Sequence, residues 1–165
     1  MRMFLFLPLA LLALGCSAPA PVEGAWAASY VLRSEVPDPQ DPDAPPFFLN
    51  VRQTVRYEFT ADNFSRTTEQ AFVSAEGAGA LGVADEDFSR VIDNRMTVRG
   101  EWAVSGGSLL LRAEEVVLSD GTAVPFEEYR ARNPFVGEAE SAEAISAGGG
   151  SLEIGGIRFA RAGPE

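Results

Sequence analysis

The sequence predicts an all-β fold, an antiparallel up-and-down barrel of about eight strands with one short surface helix. Apolar and polar residues alternate in several segments, most clearly over Phe48–Thr60 and Met96–Val104, which is typical of strands with one buried face. Tight-turn residues separate most of these segments, so neighbouring strands should pair antiparallel. Such strands can close on themselves and remove exposed edges. A two-sheet sandwich is the structural alternative.

The first strand is predicted over Val22–Leu32. Its even-numbered positions, which include Trp26 and Tyr30, fall on one face, and its odd-numbered positions fall on the other. The next segment, Ser34–Pro46, contains five prolines and four acidic residues. Because proline lacks the hydrogen-bond donor that a sheet ladder needs, we expect an exposed loop there.

A β-hairpin follows the proline-rich loop. Alternation over Phe48–Thr60 places Gln53, Tyr57 and Phe59 on one face. The sequence Ala61-Asp62-Asn63 favours a tight turn, since Asn63 is able to take positive φ. Residues 64–74 are rich in threonine and aromatic residues and predict the returning strand.

The middle of the chain is less regular. Ala75–Arg90 is rich in glycine and alanine and then acidic, so we interpret it as a connection without firm structure. Asp93-Asn94 favours a turn, which would make Phe88–Ile92 a short extra strand. Past this turn, Met96–Val104 alternates again, with Trp102 on its apolar face.

Glycine-containing turns organise the C-terminal part. Ser105-Gly106-Gly107 ends one strand, and the returning apolar set changes face between Leu111 and Val116, which indicates a β-bulge. Asp120-Gly121 and Gly155-Gly156 are hairpin signals. The remaining predicted elements are the return strand Leu109–Leu118, a strand over Thr122–Phe126, a surface helix of one or two turns over Glu138–Ser146, and short strands over Ser151–Ile154 and Ile157–Arg161.

The N-terminal residues have the features of an export signal. One basic residue precedes the apolar run Phe4–Leu14, whose 11 residues are too few to span a bilayer. The stretch Leu12–Cys16 resembles the lipobox of bacterial lipoproteins, in which the cysteine is lipidated and becomes the first residue of the mature protein. Cys16 is also the only cysteine in the chain, so it cannot form an internal disulfide. The alternative is an ordinary signal peptide cut near Ala18 or Ala20.

The lipobox resemblance implies three regions. Residues 1–15 would be a cleaved signal peptide, residues 16–21 a lipidated cysteine with a short proline-containing tether, and residues 22–162 the barrel domain. One acyl chain binds a membrane only marginally, and stable anchoring needs more than one; bacterial lipoproteins typically carry three. Ser17 replaces the aspartate that retains many enterobacterial lipoproteins in the inner membrane. We therefore expect the outer membrane, with the domain facing the periplasm.

Composition excludes several classes of function. The chain has 24 acidic and 13 basic residues and a formal net charge of −11, so we expect no binding to nucleic acid or to anionic lipid surfaces through charge. The absence of histidine excludes a Ser-His-Asp arrangement and histidine metal sites. Glu58 and Glu101 fall on predicted outer faces, and the acidic residues of the proline-rich loop lack EF-hand spacing. We expect no catalytic site, no metal and no cofactor.

Four segments carry a family resemblance. Gly24-Ala25-Trp26 opens the first strand, residues 54–67 form a hairpin with aromatic residues on both sides of an acidic turn, Gly100-Glu101-Trp102 precedes the apolar return Gly106–Leu111, and Ile157–Arg161 supplies a last strand. In these features the chain resembles the lipocalin-like lipoproteins of bacteria. The resemblance implies a barrel that holds a small apolar ligand. The proline-rich loop, the insert at 127–150 and the lack of a helix after the last strand depart from the family pattern.

The candidate ligand-binding residues are those predicted to face the barrel interior. They could fill the barrel as its core, or some of them could line a cavity in which Gln53 is the polar group. We expect most of the aromatic residues to be core, because Trp and Phe pack interiors more often than they bind ligands. The set is Trp26, Tyr30, Gln53, Tyr57, Phe59, Trp102 and Phe159.

Two functions are consistent with these predictions. In the first, a monomeric barrel anchored to the membrane through Cys16 binds a small apolar ligand. In the second, a filled barrel contacts another envelope protein through the loops Ser34–Pro46 and Ala75–Arg90, as an inhibitor or assembly factor. An interior cavity of ligand size would favour the first function and a packed interior the second.

Overall fold

A computed structural model describes residues 22–38, 43–77, 84–133 and 136–163. These residues form nine strands and two helices. The strands are β1 (Gly24–Val36), β2 (Phe47–Phe59), β3 (Asn63–Glu76), β4 (Asn94–Ser105), β5 (Ser108–Val117), β6 (Ala123–Pro125), β7 (Glu140–Gly148), β8 (Ser151–Ile154) and β9 (Ile157–Arg161), and the helices are α1 (Asp85–Ile92) and α2 (Phe126–Arg132). The predicted signal peptide and tether, with Cys16, lie outside the described residues.

The strands close into the predicted antiparallel up-and-down barrel, which is lipocalin-like. Strands β1 to β5 pair in chain order, as do β7, β8 and β9. Strand β9 returns to β1 through the pairs Trp26–Arg161 and Ala27–Ala160. Strands β6 and β7 pair with opposite ends of β5 and so share one of the eight positions in the wall. The sandwich alternative is therefore wrong.

The β4–β5 hairpin confirms two predicted details. Gly106 and Gly107 both have positive φ, as a two-residue hairpin turn requires. The register between the strands shifts beside Gly100, which leaves Glu114 as the extra residue of a bulge. This bulge lies within the stretch where the apolar set of β5 was expected to change face.

The β2–β3 turn and the end of β1 differ from the prediction. Asn63 does not have positive φ, since only glycines do among the described residues. It is the first residue of β3, and its carbonyl accepts hydrogen bonds from the backbone N (2.9 Å) and Oγ1 (3.1 Å) of Thr60. Strand β1 also continues to Val36, which pairs with Phe47, so the first residues of the predicted loop Ser34–Pro46 belong to the sheet.

Helix α1 lies in the connection that we expected to lack firm structure, so the extra strand predicted over Phe88–Ile92 is wrong. Three acidic residues in its first turn and one arginine in its last turn complement the helix dipole. Phe88 packs against Phe72 and Phe47, with ring centroids 5.5 and 6.1 Å apart. The predicted turn at Asp93 is the end of this helix, and β4 begins directly after it.

The surface helix predicted over Glu138–Ser146 is also wrong, because the segment from Glu140 onward belongs to strand β7. Ser108 of β5 lies opposite Ala144, and Ile154 of β8 lies opposite Ile145. Its first five residues pair with β5 and its last four pair with β8, and these ladder hydrogen bonds outweigh the helix propensity of its alanines and glutamates. The chain is helical earlier, in α2, whose buried Phe126 was predicted to end a strand.

Candidate functional site

Four of the candidate aromatic residues pack together at the end of the barrel near the β2–β3 turn. The ring of Tyr57 stacks on Phe59, with centroids 5.3 Å apart, and meets the edge of Phe159 at 5.4 Å. Phe59 also contacts Trp102 at 5.1 Å. Tyr57, Phe59 and Phe159 are buried and belong to the core cluster, so these rings fill this end of the barrel.

Trp102 is only partly buried, and its polar atom is already bonded. Its indole Nε1 donates a hydrogen bond to the Thr60 carbonyl at 2.7 Å. Its backbone N donates to the Asp62 carbonyl at 3.2 Å. The side chain therefore joins β4 to the β2–β3 turn.

Trp26 and Arg161 lie together where the first and last strands meet. Trp26 is 3% exposed, and its Nε1 donates to the Val22 carbonyl at 2.7 Å. The Arg161 guanidinium lies over the indole, 4.8 Å from the ring centroid, and donates to the Glu23 carbonyl at 3.1 Å. The indole is enclosed and its N–H is satisfied, which identifies Trp26 as a structural residue.

Tyr30 and Gln53 lie near the opposite end of the barrel. They face each other across β1 and β2, and both are half-buried. Gln53 also faces Gln70, the last residue of β3 that pairs with β4. Beyond this row β1, β2 and β3 continue as a three-stranded extension of the wall, which we call the ribbon.

The inner face of the ribbon is apolar and partly open. Its first row beyond Gln53 is Leu32, Val51 and Phe72, which lie opposite one another on the three strands. Leu32 is 41% exposed, and Phe72 is covered by Phe88 of α1. The candidate residues thus divide into a filled end and an open end, and only Tyr30 and Gln53 border the open end.

Arg66 also lies on the inner wall, although it is not among the candidate residues. It lies on β3 directly between Tyr57 of β2 and Val98 of β4, both of which are buried. Arg66 is half-buried, and its Nε is buried with no hydrogen-bond partner among the residues that the structure describes. Alternation could have found it, because Arg66 is two residues from the buried Phe64 and so shares its face.

The acidic residues considered for chemistry lie on the outer wall, as predicted. Glu58 and Glu101 are exposed. Glu101 contacts Arg112 at 3.8 Å in a solvent-exposed ion pair. Within the described residues no group of three acidic or other ligating side chains is placed to hold a metal ion.

Open grooves lie on the barrel surface. One of about 410 Å³ lies at the bulge beside Gly100, one of about 480 Å³ lies beside Trp102 and Leu110, and one of about 660 Å³ lies between β5 and the start of α2. Of the candidate residues, only Trp102 borders any of these three grooves. They are therefore separate from the open end of the barrel.

No protein-family model matches this chain, and no curated protein sequence matches it either. Over the residues that the structure describes, no helix is both long enough and apolar enough to cross a membrane. The barrel and its inner wall are therefore the features that bear on function.

Proposed function

We propose that this protein is a lipid-anchored barrel of the bacterial cell envelope that binds a small apolar molecule at the open end of the barrel and carries out no catalysis. The lipobox-like stretch ending at Cys16 supports the anchor, and the absence of the inner-membrane signal at Ser17 supports the outer membrane. The lipocalin-like fold supports binding within the barrel, and we propose that the protein acts as a monomer.

The binding proposal is carried by one observation: the inner side chains become less buried from one end of the barrel to the other. Buried, interlocked rings occupy one end, where Tyr57 is 6% exposed. Toward the other end the inner side chains become half-buried at Tyr30 and Gln53, and Leu32 is 41% exposed. An apolar inward-facing surface open to solvent is stabilised when a ligand covers it.

Native mass spectrometry of the chain beginning at Ser17, purified from a bacterial host, tests this proposal. Every strand lies between Gly24 and Arg161, so the shortened chain keeps the whole described barrel. We expect a reproducible added mass of a few hundred daltons that organic extraction removes and that an unrelated barrel lacks.

A matched pair of substitutions tests on which face of the wall the ligand binds. Leu32→Asp puts a charge on the inner face, and Val31→Asp puts the same charge on the outer face, where Val31 is 54% exposed. We expect Leu32→Asp to lose the added mass and Val31→Asp to keep it. Loss in both variants, or in neither, would contradict binding along the inner face.

The second candidate function, a filled barrel that works through its loops, is favoured by the packed aromatic end and by α1. This helix begins in the loop Ala75–Arg90, which was considered for protein contact, and its Val91, just beyond that loop, is 83% exposed. A clean apo mass that persists after incubation with fatty acids and phospholipids would support this function over ligand binding.

A further inference from the structure

Strand β1 has a long free edge on the side that faces β9. It pairs with β2 along its whole length, but with β9 only at Trp26 and Ala27. In the part of the chain that the structure describes, no other strand pairs with β1. The residues from Ala28 to Val36 therefore have no strand neighbour on this side, and every residue of Val31–Glu35 is exposed.

The hydrogen bonds of β1 show which backbone groups this edge presents. The Ala25 carbonyl accepts a hydrogen bond from the Ala162 N at 2.9 Å, so the polar groups of Ala25 point toward β9. In an antiparallel sheet the N–H and C=O of one residue point to the same side, and the side alternates along the strand. The register between β1 and β2 is continuous, so the odd-numbered residues point to the free edge. These residues are Ser29, Val31, Arg33 and Glu35.

The opposite edge of the ribbon, on β3, is occupied. Beyond Gln70, β3 no longer pairs with β4, and α1 contacts this part of β3 through the stacked rings of Phe88 and Phe72. The Asp93 carboxylate accepts a hydrogen bond from the Phe72 N at 2.7 Å. Proteins usually cover an exposed sheet edge or place charges along it, because a free edge pairs readily with another chain. Among the described residues, the ribbon is covered at β3 and open at β1.

The side chains of β1 leave the free edge accessible. The Arg33 guanidinium lies back across the sheet, 4.2 Å from the centroid of the Phe48 ring and 3.1 Å from Glu76 Oε2 on β3. Val31, on the same outer face, is apolar and exposed. Glu35 is a free charge at this edge, since it forms no ion pair or hydrogen bond with any described residue.

These features define the chemistry of a partner. An added strand continues the sheet, and its side chains lie beside Val31 on the outer face and beside Leu32 on the inner face, which favours apolar residues there. Glu35 favours a basic residue at the position opposite. The net charge of −11 favours a basic segment as a whole. A second copy of this chain fits poorly, because it brings the same net negative charge.

We propose that the free edge of β1 binds an extended, basic segment of another protein by strand addition. The segment lies antiparallel to Ser29–Glu35 and exchanges hydrogen bonds with the four residues that point outward. It places apolar side chains beside Val31 and Leu32 and a lysine or arginine beside Glu35. This interaction is additional to the proposed ligand binding and does not depend on it.

Amide hydrogen exchange followed by NMR tests the proposal on the chain beginning at Ser17. The probe is a blocked heptapeptide, Lys-Thr-Thr-Val-Val-Val-Thr, which runs antiparallel to β1 from Glu35 to Ser29. We expect the odd-numbered amides of this stretch to exchange about tenfold more slowly when about nine-tenths of the protein carries the peptide. The even-numbered amides, which point to β2, should change little. No slowing, or equal slowing of both sets, would overturn strand addition.

Modified peptides separate backbone pairing from other contacts. N-methylation of the third and fifth peptide residues removes donors that face β1 and should abolish the slowing, whereas N-methylation of the fourth and sixth, which face away, should preserve it. Replacing the lysine by glutamate should weaken binding by about threefold or more, since it places like charges opposite each other. Equal binding of the two N-methylated peptides would overturn strand addition, and equal binding of the glutamate peptide would overturn the basic partner.

Two variants at one position test the edge of the protein itself. Val31→Pro removes a donor that points outward and breaks no bond to β2, so the variant should fold and lose the peptide. Val31→Thr keeps the donor and the branched shape and should retain it. Equal peptide binding by both folded variants would overturn the proposal, and if Val31→Pro does not fold, the N-methylated peptides decide. Sedimentation of the unmodified protein should show a monomer; a dimer that Glu35→Lys or Val31→Pro dissociates would assign the edge to a second copy instead.

Discussion

Replacing Gly100 by alanine should disrupt the barrel at its bulge. Gly100 lies on β4 opposite Ala113, beside the extra residue of β5. A Cβ added at Gly100 would lie 1.9 Å from the Arg112 carbonyl oxygen, 2.9 Å from its carbonyl carbon and 3.0 Å from the Ala113 Cα. All three atoms belong to the backbone, so no side-chain rotation relieves the clash.

The size of the effect follows from this geometry. An ordinary contact begins at 3.4 Å, so β4 and β5 would have to separate by about 1.5 Å at a point where they are hydrogen-bonded. Overpacking usually costs about 1–3 kcal/mol. Because backbone has to move here, we expect about 3 kcal/mol, which corresponds to a fall in melting temperature of roughly 6–12 °C for a domain of this size.

Thermal unfolding followed by circular dichroism measures this fall. The matched control is Gly148→Ala at the end of β7, where φ is not positive and an added Cβ meets no atom within 4 Å. The control should melt within about 2 °C of the unmodified protein, because Gly→Ala is neutral or stabilising at an unstrained position. Equal melting temperatures for Gly100→Ala and Gly148→Ala would refute the close approach of the two strands.

Three further predictions test other parts of the structure. Trp102→Ala should lower the free energy of unfolding in urea by about 3 kcal/mol, since it removes the ring contact with Phe59 and the hydrogen bond to Thr60; an unchanged midpoint would contradict its packing against the core. The pKa of Asp120 is held below its ordinary value because the Thr122 backbone N donates to its carboxylate at 2.9 Å. The stabilisation from this bond is present above the ordinary aspartate pKa and lost as pH falls through the lowered one, and an NMR titration giving an ordinary pKa would contradict the bond. Cys16→Ser should move the full-length protein from the membrane fraction to the soluble fraction; unchanged membrane association would contradict lipidation.

Local sequence was sufficient where a single rule decides the structure. Alternation assigns each residue of a strand to one face, and it placed the inner aromatic residues correctly. The Gly106-Gly107 turn needs positive φ, which glycine adopts without strain. The bulge was visible because it moves the apolar set of β5 to the other face.

Local sequence failed where distant segments decide. The alanines and glutamates of β7 favour a helix in isolation, and only pairing with β5 and β8 makes them a strand. Helix α1 depends on Phe88 reaching Phe47 and Phe72, which lie far away in the sequence. Alternation also cannot tell how far along the barrel axis a residue lies. It places Trp26 and Tyr30 on the same face, although only Trp26 is enclosed.

The seam between β1 and β9 has a consequence for how the protein folds. Almost every other ladder in the wall joins strands that are neighbours along the chain, whereas Arg161 and Glu23 meet across a separation of 138 residues. Contacts at such a distance form slowly, because the entropy of closing the intervening chain is lost before they form. We therefore expect an open sheet with two free edges to precede the closed barrel, and free edges are sites of aggregation. We expect the docking of Arg161 over Trp26 to end the period in which these edges are exposed, and so to limit how long each newly made chain can pair with its neighbours.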